Sequence, residues 1–173
     1  MNFEYKHLIP EDFTSQSRVW IYQSSRLFIN SEAIEIEDML NSFVENWKSH
    51  GANVKGYGNL LFGQFIVLMA DESETSVGGC STDSSVHLIK KIEEAFQVDL
   101  FNRQNLAFVA KEKIQTIPFA QLKYAFDNGF IDADTLYFNN LAATKEALMS
   151  NWMIPVKTSW LAQKFNIPEV VKM

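Results

Sequence analysis

Apolar residues recur along this chain with two different periods. Arg18-Val-Trp-Ile-Tyr-Gln23 is dense in β-branched and aromatic residues and predicts a first strand. Ile36, Met39, Leu40, Phe43, Val44 and Trp47 then recur at helical spacing. Asn30 or Ser31 is placed to cap that helix, Lys48 and His50 fall in its last turn, and Gly51 can adopt the left-handed conformation that stops it. Two apolar runs follow, 54–62 and 65–70, separated by Gly63-Gln64, which predicts an antiparallel hairpin with a two-residue turn. A second helix, capped by Ser81, Asp83 or Ser84, buries Val86, Ile89, Ile92 and Phe96, and residues 106–110 read as a fourth strand. The order βαββαβ predicts an α+β protein with a ferredoxin-like core.

Beyond this core the pattern continues without a repeat or a flexible linker. Pro118 opens a helix with Phe119, Leu122 and Phe126 on one face, and Gly129 closes it. Residues 134–138 suit a short strand and 142–151 another helix, before an aromatic tail with Trp152, Pro155 and Trp160. The expected organisation is a core over 1–117 and a C-terminal α/β extension over 118–173. In the run 65–70, Phe65, Val67 and Met69 alternate with Ile66, Leu68 and Ala70, so both faces of that strand are apolar. Two helices cover one face of a ferredoxin-like sheet. The cover of Ile66 and Leu68 is therefore expected from residues after Pro118, among them Phe138, Trp152 or Trp160, or from a second subunit in a homodimer.

Charge narrows the partners. The formal net charge is −6, and Glu32, Glu35, Glu37, Asp38 and Glu45 are grouped in one stretch, which argues against nucleic acid. Cys80 is the single cysteine, in keeping with a reducing, cytoplasmic location. The N-terminal stretch lacks a signal-like apolar run, no lipidation box is present, and the longest apolar run is too short for a bilayer, so no membrane partner is expected.

The most polar glycine-rich turn is Val77-Gly-Gly-Cys-Ser-Thr-Asp-Ser-Ser85. A helix start with free N–H groups can hold an anion or activate a thiol, but Ser81, Asp83 and Ser84 are also ordinary capping residues. His87 lies about 10 Å along the helix from Cys80 and is no local base for it. The crossover topology instead brings His50 to that edge, where Arg18, Lys55, Asp71, Cys80, Ser81, Asp83, Ser85 and Lys111 are expected to gather. Lys55-Gly-Tyr-Gly58 lacks dinucleotide-site spacing and reads as a flexible strand, and no phosphate-binding lysine loop occurs. Three scattered histidines and one cysteine favour no metal. Neither a cofactor nor a catalytic set is expected.

Arg18-Val-Trp-Ile-Tyr-Gln-Ser24, Val54-Lys-Gly-Tyr-Gly58, Leu68-Met-Ala-Asp71 and Gly79-Cys-Ser-Thr-Asp-Ser-Ser85 resemble a family of small uncharacterised bacterial proteins over most of the chain. That family is often labelled "ABC transporter ATPase", which implies nucleotide binding, although the Walker lysine is absent here. Pro118-Phe-Ala-Gln-Leu122, Gly129, Ile131 and Thr135-Leu-Tyr-Phe138 resemble the helix–turn–strand part of GYF-like adaptor modules, which bind partner proteins; the Gly-Tyr-Phe signature itself is absent. The leading expectation is a non-enzymatic binding or protein-interaction domain. The alternative is a small-molecule or thiol-dependent enzyme using Cys80 near His50.

Overall fold

A computed structural model describes residues 1–167 and shows an α+β chain. In chain order its main elements are β1 (Arg18–Gln23), α1 (Asn30–Asn46), β2 (Lys48–Ser49), β3 (Ala52–Asn53), β4 (Lys55–Leu61), β5 (Phe65–Asp71), α2 (Gly79–Phe96), β6 (Asn105–Ala110), β7 (Lys113–Pro118), α3 (Leu122–Asp127), β8 (Leu136–Phe138), α4 (Lys145–Asn151), β9 (Met153–Pro155) and α5 (Leu161–Lys164). They form two compact units. The first comprises Phe3–Asn102 with Ala142–Met149; the second comprises Arg103–Leu141, the chain from Ser150 onward, and Met1–Asn2. The expected division at residue 117 thus differs from the observed one at Asn102, and residues 168–173 of the expected extension lie outside the described residues.

In the first unit an antiparallel sheet has the order β1-β5-β4. Its register pairs Trp20 with Leu68 and Tyr22 with Ile66, and on the other side Gly58 with Leu68 and Leu60 with Ile66. Directly paired residues share a face, so these side chains point together toward the helices. There Ile66 and Leu68, both fully buried, join Ile36 and Leu40 of α1, Leu88, Ile89 and Ile92 of α2, and Phe28 and Leu100. The expectation that later residues cover Ile66 and Leu68 is therefore corrected: the helices cover them. The opposite face carries Lys55, Tyr57 and Asp71, and the N-terminal segment is fastened to these. Tyr57 Oη donates to Leu8 O at 2.9 Å, Lys55 Nζ to Asp12 O at 2.6 Å, and Thr14 N to Asp71 Oδ2 at 3.0 Å. Phe13 packs edge-on against Tyr57, and Tyr5 donates through its hydroxyl to Leu148 O.

The fourth strand of the expected ferredoxin-like sheet does not join β1. Residues 106–110 do form a strand, but β6 enters a second sheet of order β7-β6-β8-β9. The reason is local. Lys111 and Glu112, with φ of 52° and 60°, make a tight turn that lets β7 fold straight back onto β6. A neighbouring strand costs less loop entropy than a return to β1. The outer edge of β1 is met instead by the 142–149 segment. Val19 N donates to Ala143 O at 3.0 Å, and Lys145 N to Ser17 O at 2.9 Å.

Three terminal details also differ from expectation. α1 is preceded by Ile29, whose N–H is capped by Glu32 Oε2 at 3.0 Å, in place of a cap from Asn30 or Ser31. It ends at Asn46, so Lys48 and His50 lie in the β2–β3 hairpin, whose turn is His50-Gly51 with φ of 52° and 80°. The β4–β5 turn runs through Phe62, Gly63 and Gln64, one residue longer than predicted, because Phe62 itself takes a left-handed conformation.

The second unit buries Leu106, Phe108, Leu122, Ala125, Ile131, Tyr137, Val156 and Leu161 around its sheet. Leu122 and Ala125 come from α3, which begins after a 3-10 turn at Phe119–Gln121 and is followed by Gly129 at φ 75°.

Candidate functional site

The turn before α2 is where the sequence placed a polar corner. α2 begins at Gly79 with Gly78 at its cap, and no side chain caps it. Ser81, Asp83 and Ser84 are thus not the caps they were expected to be. Ser81 is buried, with its Oγ donating to Lys48 O at 2.8 Å. Ser84 and Ser85 donate back along the helix to Ser81 O and Thr82 O. Asp83 is exposed. Cys80 is exposed on the first turn of α2.

His50 does reach this turn, as the crossover argument required. A β-carbon on Gly78 would lie 3.0 Å from His50 Nε2, so the imidazole rests against the glycine two residues before Cys80. Ser49 next to it accepts a hydrogen bond from Gly78 N at 3.3 Å. Arg18 closes the other side, donating to Val77 O at 3.4 Å and pairing with Glu72 Oε1 at 3.5 Å. The same Glu72 oxygen accepts from Val77 N at 2.7 Å, so the carboxylate that neutralises Arg18 also shapes the turn. Trp47 anchors the arrangement from below through Nε1 to Ser81 O at 3.1 Å.

Lys55 and Asp71 do not join it. They project from the opposite face of the sheet to Arg18, where Lys55 is occupied by Asp12 and Asp71. Burial alone would raise the Asp71 carboxyl, but N–H donors from Thr14 and Ser73, together with Lys55, hold it down at about 2. Lys111 belongs to the second unit. The corner therefore gathers Arg18, His50, Cys80 and Ser81, with one carboxylate already engaged. No hydrogen bond links His50 to Cys80 among the described residues, and no cluster of His, Cys, Asp and Glu there could hold a metal ion.

A second candidate lies in the second unit, and sequence reasoning saw only half of it. Phe119 and Trp160 stack with ring centroids 6.3 Å apart and interplanar angle 20°, and remain 39% and 43% exposed. Trp160 is fixed from behind, its Nε1 donating to Tyr137 Oη at 3.1 Å. Lys164 Nζ sits 4.3 Å from the Phe119 ring centroid, a cation–π contact. Burial raises the Tyr137 phenol, and the Trp160 N–H opposes that shift. Trp160 was visible as part of an aromatic tail. Its partnership with Phe119 was not, because forty-one residues separate them and no periodicity spans that separation.

No protein-family model, curated protein or solved structure matches the chain. Among the described residues, no helix is long and apolar enough to cross a membrane.

Proposed function

We propose that this chain is a non-enzymatic interaction protein whose second unit holds an extended, proline-bearing segment of a partner protein on the Phe119–Trp160 face. The observation that carries this reading is the pair of half-exposed stacked rings, with the Trp160 N–H already engaged by Tyr137 and Lys164 set over the Phe119 ring. Large aromatic rings are ordinarily buried, and here the second unit has its own aromatic core. With the Trp160 N–H already given to Tyr137, recognition would be by ring face, which suits the flat methylene surface of proline in an extended left-handed helix. Fixing Trp160 from behind lowers the entropy lost on binding. The resemblance of residues 117–138 to adaptor modules points the same way.

The test is a fluorescence titration with a proline decapeptide and a Gly/Ser decapeptide. Saturable binding of the first alone is expected, weakened roughly thirty-fold by Trp160→Ala, the effect of removing a central aromatic anchor worth about 2 kcal/mol. Equal affinity in wild type and variant removes the reading. The alternative, thiol chemistry at Cys80, draws on His50 resting beside Gly78, and it assigns no role to Trp160.

A further inference from the structure

The helical side of the first unit carries a groove of about 720 Å³ between α1 and α2. The helices run antiparallel and are fastened at both ends. At one end Trp47 donates to Ser81 O. At the other, Arg26 grips Glu32 through two hydrogen bonds of 2.8 and 2.9 Å and reaches Phe96 O at 2.7 Å. Between these ties the walls stand apart, and the groove opens over Met39, Phe43 and Leu88.

The two walls differ in charge. Asp38 lines the α1 side, and Glu45, seven residues on and exposed, does not line the groove but continues the same helix stripe beside it. His87 and Lys91, one turn apart, line the α2 side. None of Asp38, Glu45 and Lys91 makes an ion pair among the described residues. From Asp38 to Asn46 the groove runs about 12 Å, and apolar anchors at i, i+4 and i+7 of a helix span about 10.5 Å. We propose that this groove seats an amphipathic helix of a partner protein. Its apolar stripe lies on Met39, Phe43 and Leu88, its basic flank follows α1, and its acidic flank follows α2. This surface lies within the first unit, so the proposal does not depend on the aromatic face of the second.

Three fluorescein-labelled helical peptides of about fourteen residues decide it, each with Leu at i, i+4 and i+7. One carries a Lys flank and a Glu flank, one Glu on both, one Lys on both. Anisotropy on the full chain at low salt should rank the mixed peptide tightest, by about three- to five-fold over the others, as expected for exposed charge pairs. Asp38→Lys with Glu45→Lys, both at exposed positions, makes both walls basic and should hand first place to the all-Glu peptide. Equal affinities for the wild type, no saturable binding by any of the three, or an unchanged ranking in the variant overturns the proposal. Trp160→Ala should leave the ranking as it is.

Discussion

At Gly56 a β-carbon would lie 2.7 Å from Trp47 Cε3, closer than real side chains approach. Trp47 cannot swing away, being 2% exposed and tied through its indole N–H. Gly56→Ala should therefore cost about 1–3 kcal/mol by overpacking, read as a lower urea midpoint. Gly58→Ala should cost less, since the nearest atom to its β-carbon, Leu68 Cδ2, lies at 3.2 Å, where a shift of a few tenths of an ångström suffices. A Gly56→Ala midpoint equal to wild type would show that α1 has room to shift. The sequence alone suggested a flexible strand here, because a glycine required for close helix approach looks the same as one that merely loosens a strand. Asp71 gives a pH dependence. Its carboxyl sits at about 2 when folded against an ordinary 3.8, so it binds protons less readily in the folded state. Its contribution to stability is complete above about pH 4 and is lost as pH falls toward about 2. Asp71→Asn should be less stable than wild type at pH 7 and lose less stability across that acid window. An acid limb of identical steepness in both proteins would contradict the assignment.

Among elements, those built from short-range pattern were legible: β1, the α1 stripe, the β4–β5 hairpin, α2 and β8 all fall where periodicity placed them. The two missed hairpins turn on non-glycine residues at positive φ, His50 in one and Lys111 with Glu112 in the other. His50-Gly51 made β2–β3 invisible as a hairpin, and Lys111-Glu112 hid β7 altogether. That second turn diverted the fourth strand and left the edge of β1 to the 142–149 segment. How this segment is held can be tested through Lys145, whose Nζ donates to Pro10 O at 2.6 Å and Phe13 O at 2.8 Å. Lys145→Met keeps the stem but loses these charge-assisted bonds, and should lower stability by about 2 kcal/mol. Hydrogen exchange should quicken in residues 3–13 and at the N–H of Val19. Unchanged exchange there would mean that the lysine contributes nothing to the N-terminal fastening.

For the whole molecule, the polar corner was legible because crossover topology dictates that the end of the first helix meets the start of the second. His50 arrives there by a hairpin in place of a helical turn, yet the proximity survives. Lys55 was misassigned because facing depends on strand parity, and Lys55 and Arg18 project from opposite faces. The aromatic face escaped notice because it joins the 3-10 turn before α3 to the residue that precedes α5, a contact set by tertiary packing alone. The proposed role rests on that face. The most direct measurement compares the proline-decapeptide dissociation constant of wild type, Trp160→Ala, and Cys80→Ser with His50→Ala. The interaction reading predicts a roughly thirty-fold loss in Trp160→Ala and wild-type affinity in the corner variant. Wild-type affinity in Trp160→Ala would contradict it, as would loss of binding only when Cys80 and His50 are changed.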